Sequence, residues 1–305
     1  MNIDRLMLLR EVAERGSIAA AAASSSLTPS AVSQQLKILG REAGVTLLER
    51  RGRGVRLTDA GRTLVERADD VFAALDRAQA EMDAYRATPR GRVRVALFPS
   101  GAAMLLPQLL ARAEAAGVAV DGRDIDEPAS HAPALLADFD VVVVHRDERD
   151  TAPWSPRHEA VMLMREPLEV VLPPGHRLAE AQRVALAELA EEPWIGVRDG
   201  LMVDDVLRSL AAVAGVTPKV LQRVDDFRVT EELVWAGFGV ALMPRYVQTV
   251  RSLPRKPLTG IRVARRIEAV TRIGARSRPA VDKVLEILEA TASAIAESAG
   301  PTHSR

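Results

Sequence analysis

The chain has 305 residues, which predicts two or three domains at about 100 to 200 residues per domain. Hydrophobic residues make up 48% and charged residues 27%, a balance that argues against wholesale disorder. Without cysteine, the chain has no disulfide, thiolate zinc site, iron–sulfur cluster or cysteine nucleophile. No apolar run is long enough to span a bilayer and no targeting segment is recognisable, so we expect a cytoplasmic protein without a membrane partner.

The charges are unevenly distributed although they sum to zero, with 41 basic and 41 acidic residues. The first 65 residues hold ten basic and six acidic side chains. Within them, the segment from Arg50 to Arg56 holds four arginines and no acid, which predicts a surface for an anionic partner such as nucleic acid. An arginine-rich composition is the alternative explanation, because only four of the 41 basic residues are lysine.

Three helices are predicted before residue 45. The first has apolar residues at helical spacing and ends at Gly16. Ser17 is placed to cap a second helix over residues 18–23, and a serine-rich turn follows. The third begins at Thr28, an N-cap candidate, and Pro29 suits its first position because a proline lacks the N–H that would have no partner there.

The third helix presents an apolar face and a polar face. Val32, Leu36 and Leu39 recur at spacings of four and three, which predicts a buried stripe. Glutamine can pair with adenine, while serine and lysine contact bases or phosphates, so the polar face is suited to a DNA groove. Its members are Ser30, Ser33, Gln34 and Lys37.

Two short strand-like segments, 45–51 and 55–57, flank a glycine turn that carries Arg53 at its tip and Arg51 at its edge. We expect these arginines to contact phosphates or the minor groove. A solvated surface is the ordinary explanation for a polar helix face or an arginine run taken alone. The order of helix, short helix, turn, capped helix and basic hairpin within sixty residues instead predicts a winged helix-turn-helix.

Five N-terminal segments form a specific joint pattern: VAERGSI at 12–18, AAA at 20–22, LTPSAVSQQL at 27–36, LLER at 47–50 and LTDAG at 57–61. Together they resemble the LysR-type transcriptional regulators. The family usually has an aromatic residue at the positions of Ile18 and Leu48, a leucine at Ser25 and a glutamate at Gly40. The resemblance implies a DNA-binding domain over residues 1–62 that binds a pseudo-palindromic promoter site in double-stranded DNA. We expect Ser17, Thr28 and Pro29 to be among its DNA-contacting residues as well.

Apolar or small residues from Leu64 to Tyr85 alternate spacings of four and three over three heptads. A helix packed on its own domain is one explanation. The family resemblance favours a linker helix over residues 63–87, through which subunits associate as a dimer or tetramer. Pro89 and Gly91 predict that this helix stops before a hinge.

The remaining chain alternates predicted strands and helices, as in a parallel α/β sheet. The β-branched run from Val141 to Val144 is typical of a strand covered on both faces. Strands are predicted at 93–98, 118–125, 140–144, 167–172, 194–197, 220–224, 240–243 and 267–273, and helices at 102–116, 134–138, 204–214, 230–236 and 280–297.

Further segments extend the resemblance over nearly the whole chain: EPL at 166–168 with LPPGH at 172–176, and AGFGVALMP at 236–244. The implied fold class is a multidomain α+β and α/β protein with a winged helix-turn-helix, a linker helix and a two-lobed α/β effector domain like a periplasmic binding protein. The resemblance places that domain at 91–300, with lobe I at 91–160 and 263–300 and lobe II at 161–262.

A cleft between two such lobes is the expected ligand site. Ser100 and Gly101 lie where a helix follows the first strand, so free N–H groups there are expected to hold an anion. Arg146 follows the Val141–Val144 strand and is expected to reach the same cleft. A plain N-cap for Ser100 and a solvated loop arginine for Arg146 are the alternatives. The family layout adds Gly200, Leu201 and Phe227.

Motifs for catalysis are not found in the sequence. Gly237-Phe238-Gly239 lacks the third glycine of a dinucleotide loop, and the five histidines show no metal-ligand spacing. Neither a GK[ST] phosphate loop nor a G-x-S-x-G elbow occurs. We therefore expect no enzyme, no metal and no cofactor.

The resemblance implies a transcriptional regulator that responds to a small-molecule effector, and it leaves contact with RNA polymerase open. An aromatic content of 3% favours a small aliphatic or polar effector. Two other classes stay open: a solute-binding or enzyme-like α/β protein with an accessory N-terminal domain, and a DNA-binding protein that needs no ligand.

Overall fold

The computed structural model describes residues 1–51, 54–84, 91–247, 250–260 and 263–298. The predicted wing-tip Arg53 lies outside the described residues, as do Tyr85 and most of the predicted hinge. The helices are α1 Ile3–Arg15, α2 Ile18–Ser24, α3 Pro29–Ala43, α4 Asp59–Ala84, α5 Pro99–Ala115, α6 Ala132–Leu135, α7 Met202–Ala214, α8 Phe227–Trp235 and α9 Pro279–Ser298. The strands are β1 Leu48–Arg51, β2 Gly54–Leu57, β3 Arg92–Leu97, β4 Ala119–Asp124, β5 Val141–Asp147, β6 His158–Val171, β7 Pro193–Gly196, β8 Lys219–Arg223, β9 Val240–Pro244, β10 Arg255–Lys256 and β11 Ala264–Arg272.

The N-terminal helices begin and end where their local sequence predicts. Gly16 ends α1 with φ of 72°, a left-handed conformation that glycine adopts without strain. The Ser17 hydroxyl accepts a hydrogen bond from the Ala20 N–H at 3.0 Å, and the Thr28 hydroxyl accepts one from the Ala31 N–H at 3.2 Å. Both predicted N-caps are therefore confirmed, and the second fixes where α3 starts.

Helices α1 to α4 share one apolar core. The predicted stripe of α3 is buried there through Val32, Leu36 and Leu39, together with Leu9 of α1. The hairpin of β1 and β2 is antiparallel, with Leu48 opposite Leu57. A Cβ on Gly61 would overlap the Leu47 carbonyl, so the glycine lets α4 lie against the start of the hairpin. The unit is a winged helix-turn-helix.

Helix α4 has 26 residues and begins at Asp59, four residues before the predicted linker helix. Ala68 is buried against the N-terminal core, whereas Val71, Leu75 and Met82 are exposed. Packing of α4 on its own domain therefore buries part of the predicted heptad seam, and another part of the seam is exposed. Neither α4 nor any other helix in the described ranges is both long and apolar enough to cross a membrane.

The C-terminal unit is built on strands in the order β4-β3-β5-β11-β6-β9-β7-β8, with β10 beside β6. Strand β3 is parallel to β4 and β5, and β7 is parallel to β8 and β9. Strand β11 is antiparallel to β5 and β6. The arrangement gives two α/β lobes connected through the long strand β6, which confirms the predicted fold class.

The chain passes between the lobes later along β6 than predicted. Residues 161–166 pair with β11, and Leu163 and Met164 belong to the core of lobe I. Leu168 begins the core of lobe II and donates its N–H to the Val263 carbonyl at 2.9 Å. The crossing therefore lies at residues 167–168 instead of 160–161, because strand pairing with β11 keeps the preceding segment in lobe I.

Ion pairs join the N-terminal unit to lobe I of the same chain. Asp69 of α4 accepts from Arg157 Nε at 2.8 Å, and Arg10 lies 3.9 Å from the same carboxylate. Glu14 of α1 lies 3.3 Å from Arg272. Both carboxylates are buried, at 7% and 3% exposure. The orientation of α1 and α4 relative to lobe I is thus fixed by charged groups removed from water.

Candidate functional site

Helix α3 exposes the polar face predicted for DNA contact. Ser30, Gln34 and Lys37 are exposed, and Ser33 is half-buried beside them. Thr28 and Pro29 are exposed at the N-terminal end of the helix. Ser17 is half-buried, and its hydroxyl is committed to capping α2. The side chains able to reach a DNA groove therefore lie along one side of α3.

A groove of about 620 Å³ separates α3 from the hairpin. Its cationic lining residues include Lys37, Arg41 and Arg50, all exposed. Arg50 forms no ion pair with a described residue, whereas Arg56 is paired with Glu49. Arg41 and Arg50 extend the predicted contact surface, and the arginine run was the sequence signal for Arg50.

The wing prediction rests on residues that the structure describes only in part. Arg51 ends β1 with its backbone opposite Gly54, and Arg53 lies outside the described residues. The described part of the antiparallel hairpin lies across the groove from α3, as in winged DNA readers.

A cavity of about 650 Å³ lies between the two lobes, at the carboxyl ends of β3, β4, β7 and β8. Ligands of open α/β sheets bind at this end of the strands. Of the residues predicted for this cleft, the structure brings Ser100, Leu201 and Phe227 into the lining.

Gly101, Arg146 and Gly200 do not line the cavity. Gly101 is buried, and a Cβ there would overlap the Phe98 ring. Gly200 adopts φ of 80° in the turn before α7. Arg146 lies next to His145 on β5, and strand alternation turns it away from the cleft.

The guanidinium of Arg146 is held on the far face of the sheet. It contacts Glu268 at 3.0 Å, donates to the Ala152 carbonyl at 2.7 Å and lies 4.8 Å from the Trp154 ring centroid. The expectation that Arg146 supplies a cation to the cleft is therefore corrected: Arg265 of β11 lies there instead.

Two helix N-termini border the cavity without a side-chain cap. Helix α5 follows Phe98 and α7 follows Leu201, and neither residue caps its helix with a side chain. Ser100 accepts a hydrogen bond from Arg265 Nη2 at 3.1 Å instead of acting as an N-cap. Exposed N–H groups and the positive end of a helix favour a bound anion.

Arg265 is buried at the crossing between the lobes, with 1% exposure. Its Nε donates to Glu166 at 2.7 Å, and Glu166 is fully buried. The other Glu166 oxygen accepts the Tyr246 N–H at 2.6 Å. The Arg265 guanidinium also lies 4.9 Å from the Phe98 ring centroid. The buried Arg265–Glu166 ion pair therefore connects the residues at the bottom of the cleft.

His145 lines the cavity as a neutral imidazole. Burial and, as the smaller cause, the nearby Arg265 charge together lower the pKa of His145 to about 3. The ring meets Phe98 edge to face, with centroids 4.5 Å apart. Its buried Nδ1 atom has no hydrogen-bond partner among the described residues.

The pKa of His145 predicts acid sensitivity. Below pH 6.5 the unfolded chain binds a proton that the folded chain excludes until about pH 3, so stability is lost as the pH falls through this window. We expect His145 to lower the free energy of unfolding by about 2–3 kcal/mol between pH 6.5 and pH 4.5. Urea unfolding at the two pH values measures the loss.

His145→Phe is expected to reduce that pH dependence, because the phenyl ring keeps the contact with Phe98 and cannot be protonated. Burial also lowers the pKa of His158, to about 4, so part of the dependence remains in this variant. His131→Gln changes an exposed histidine and is the control. An unchanged pH dependence in His145→Phe would contradict the prediction.

Acidic side chains from both lobes meet at the mouth of the cleft. Asp124 and Asp126 come from lobe I, and Asp225 comes from lobe II. Arg198 spans the gap, 3.3 Å from Asp126 and 3.5 Å from Asp225. Burial raises the pKa of the Asp126 carboxyl, against the lowering effect of Arg198. Sequence reasoning missed these acids, although Asp124 lies at the end of a predicted strand and Asp126 and Asp225 each follow one.

Two family descriptions match the chain. Residues 3–62 match the bacterial regulatory helix-turn-helix protein of the lysR family. Residues 86–293 match the LysR substrate binding domain. The first match covers α1 to the start of α4, and the second covers both lobes.

Characterised and uncharacterised relatives agree with these matches. An HTH-type transcriptional regulator, YnfL of Escherichia coli strain K12, is 30% identical and covers 82% of this chain and 85% of its own. The transcriptional dual regulator GltC of Bacillus subtilis strain 168 is 28% identical, over 80% of this chain and 81% of its own.

Solved structures share the fold. The Corynebacterium glutamicum OxyR C206 mutant is 24% identical with a TM-score of 0.59, covering 100% of this chain and 97% of that chain. Full-length CbnR complexed with its target DNA is 24% identical with a TM-score of 0.53, covering 96% and 100%. With the capped α3, the basic hairpin and the two-lobed cleft, these findings show that the chain belongs to the LysR family of transcriptional regulators.

Proposed function

We propose that this regulator reads double-stranded DNA through α3 and the hairpin, and responds to a small-molecule effector bound between its lobes. The observation that supports DNA reading is the exposed face of Ser30, Gln34 and Lys37 beside Arg50, a cation with no ion-pair partner among the described residues. Amide and hydroxyl groups read base edges, while cations bind phosphates.

Gln34→Ala is expected to weaken binding to the specific site by about 1–3 kcal/mol and to leave binding to random DNA nearly unchanged, because the amide would contact a base. Gel-shift titrations on the DNA flanking the gene, with footprinting to define the site, measure both affinities. Gln108→Ala changes an exposed glutamine on α5 and is the matched control. Equal losses on specific and random DNA would refute base reading by Gln34.

Arg50→Ala and Arg53→Ala are expected to lower affinity for all sequences alike, since phosphate contacts carry no base information. Each is expected to reduce the slope of log affinity against log salt by about one unit. Titrations over a range of salt concentrations check this, and a loss restricted to the specific site would contradict it.

For the effector, the cavity and the two uncapped helix N-termini support a ligand with an anionic or polar group near Ser100 and Leu201. Footprints with and without ligand test the response. An unchanged footprint and affinity across a metabolite panel would favour a DNA-binding protein that needs no ligand.

We propose no catalytic role for the cleft. The described lining residues pair no nucleophile with a base: His145, with its pKa lowered to about 3, is too weak a base to activate a hydroxyl, and the Ser100 hydroxyl accepts a hydrogen bond from Arg265. Some relatives are named for hydrogen peroxide, such as the probable hydrogen peroxide-inducible genes activator of Mycobacterium leprae. Thiol oxidation is not available to this chain, because it has no cysteine.

The same proposal assigns DNA binding to residues 1–62, subunit association to 63–87 and effector binding to 91–300. We propose that the exposed Val71, Leu75 and Met82 of α4 pair subunits as a dimer, which places two recognition helices on one site, and that two dimers form the tetramer. Action on the chromosome implies a cytoplasmic location and allows contact with RNA polymerase.

A further inference from the structure

The acidic side chains of the cleft carry more charge than its cationic side chains neutralise. Four aspartates line it: Asp124 and Asp126 at the carboxyl end of β4 in lobe I, and Asp225 and Asp226 after β8 in lobe II. Asp124 forms no side-chain hydrogen bond or ion pair with any described residue. In a partly enclosed cavity, facing carboxylates repel one another more strongly than they would in bulk water.

The cations in and around this cavity are already paired. Arg265 is bound to Glu166 at 2.7 Å, and Arg228 to Asp226 at 2.8 Å. Arg198 divides its charge between two carboxylates from opposite lobes, at 3.3 Å and 3.5 Å. Among the described residues, the cleft therefore keeps a negative surplus at its mouth.

His145 gives an independent indication of a ligand. Its side chain lines the cavity, and its buried Nδ1 atom lacks a hydrogen-bond partner among the described residues. Buried polar groups in proteins are nearly always hydrogen-bonded, so an orphaned imidazole beside a cavity suggests that a bound molecule completes its contacts. Because the ring is neutral, it offers a lone pair to an N–H donor.

We propose that the ligand of this cleft carries an ammonium or guanidinium group, which Asp124 and Asp126 hold from lobe I and Asp225 approaches from lobe II. This inference rests on the proposed effector function of the cleft. The uncapped N-termini of α5 and α7 accept an acidic group on the same molecule, so the class is a small amine-bearing acid. Such a ligand neutralises the negative charge that remains in the cleft after Arg198 has paired with Asp126 and Asp225.

The test uses the full-length protein and four probes with one six-carbon chain: 6-aminohexanoate, hexane-1,6-diamine, adipate and hexan-1-ol. Calorimetry and the shift of the melting temperature rank their binding. The two ammonium-bearing probes are expected to bind about tenfold more tightly than adipate, and hexan-1-ol more weakly than either. The Asp124→Asn/Asp126→Asn double variant is expected to lose that preference.

Asp121→Asn is the matched control, because Asp121 lies on the same strand β4 but outside the cavity lining. Without ligand, the double variant is expected to melt at a higher temperature than the native protein at about 10 mM salt, and this difference should shrink at about 500 mM salt. A lower or unchanged melting temperature at low salt would overturn the proposal, because no repulsion would have been relieved.

The binding results distinguish the proposed ligand class from the proposed effector function of the cleft. A preference for the ammonium probes that the double variant abolishes and Asp121→Asn retains supports the proposal. Adipate binding as tightly as the ammonium probes overturns the proposal and leaves the effector function of the cleft standing. A preference that survives in the double variant, or no binding by any probe, also overturns the proposal; the effector function is judged separately, by the footprints with and without ligand.

Discussion

Glu166→Gln is expected to lower the free energy of unfolding by about 3–5 kcal/mol, because it leaves a buried arginine without its counter-charge. Glu166 is fully buried and Arg265 is 1% exposed, so water cannot replace the lost carboxylate. The Tyr246 N–H also loses a charged acceptor. Urea unfolding followed by tryptophan fluorescence, to which Trp194 buried in lobe II contributes, measures the change.

Glu159→Gln is the matched control for this prediction, since Glu159 is an exposed glutamate on the same strand, and its effect is expected to stay within about 0.5 kcal/mol. The double variant Glu166→Leu/Arg265→Met is expected to recover much of the loss, because both charges are then absent. Equal stability of Glu166→Gln and Glu159→Gln would contradict the importance of the buried pair.

Asp69→Asn is expected to cost about 3 kcal/mol and to loosen the N-terminal unit from lobe I. The carboxylate of Asp69 faces Arg157 at 2.8 Å and Arg10 at 3.9 Å, and the amide would place N–H groups against these cations. Chemical unfolding measures the stability, and small-angle scattering measures the expected increase in the radius of gyration.

Asp70→Asn is the control that distinguishes an effect on the interface between the N-terminal unit and lobe I from an effect on helix α4 itself. Asp70 is the next residue on α4, is exposed and pairs with Arg67 at 2.8 Å on the same helix. Its substitution is expected to change stability by less than about 0.5 kcal/mol and to leave the scattering curve unchanged. Similar behaviour of the two variants would show that the ion pairs do not hold the units together.

Local features of the N-terminal unit could be predicted because short sequence determines them. A hydroxyl followed by proline sets the start of α3, and the spacing of Val32, Leu36 and Leu39 sets its buried face. The polar residues on its other side then follow from helical geometry. The order of most strands and helices in the lobes was predictable because strands such as β3, β5 and β9 each have an apolar run of their own.

Features that depend on pairing distant segments were not predictable. His145 and Arg146 are neighbours on one strand, and only the pairing of β5 with β11 decides which of them faces the cleft. The segment before Pro167 was not predicted as strand because its charged Glu166 is acceptable there only beside Arg265, 99 residues later. The acids of the cleft mouth likewise come from separate lobes.

The passage between lobes has a mechanical consequence. Both chain crossings are strands, β6 and β11, and they are hydrogen-bonded to each other with one irregularity near Ile267. A two-stranded ribbon bends and twists elastically, unlike a pair of free loops, and it returns to its resting shape. A movement of the lobes on ligand binding would therefore have to bend this ribbon, which costs elastic energy. Substitutions that make the ribbon easier to bend should change the ligand concentration needed for a half-maximal response more than the size of the response at saturation.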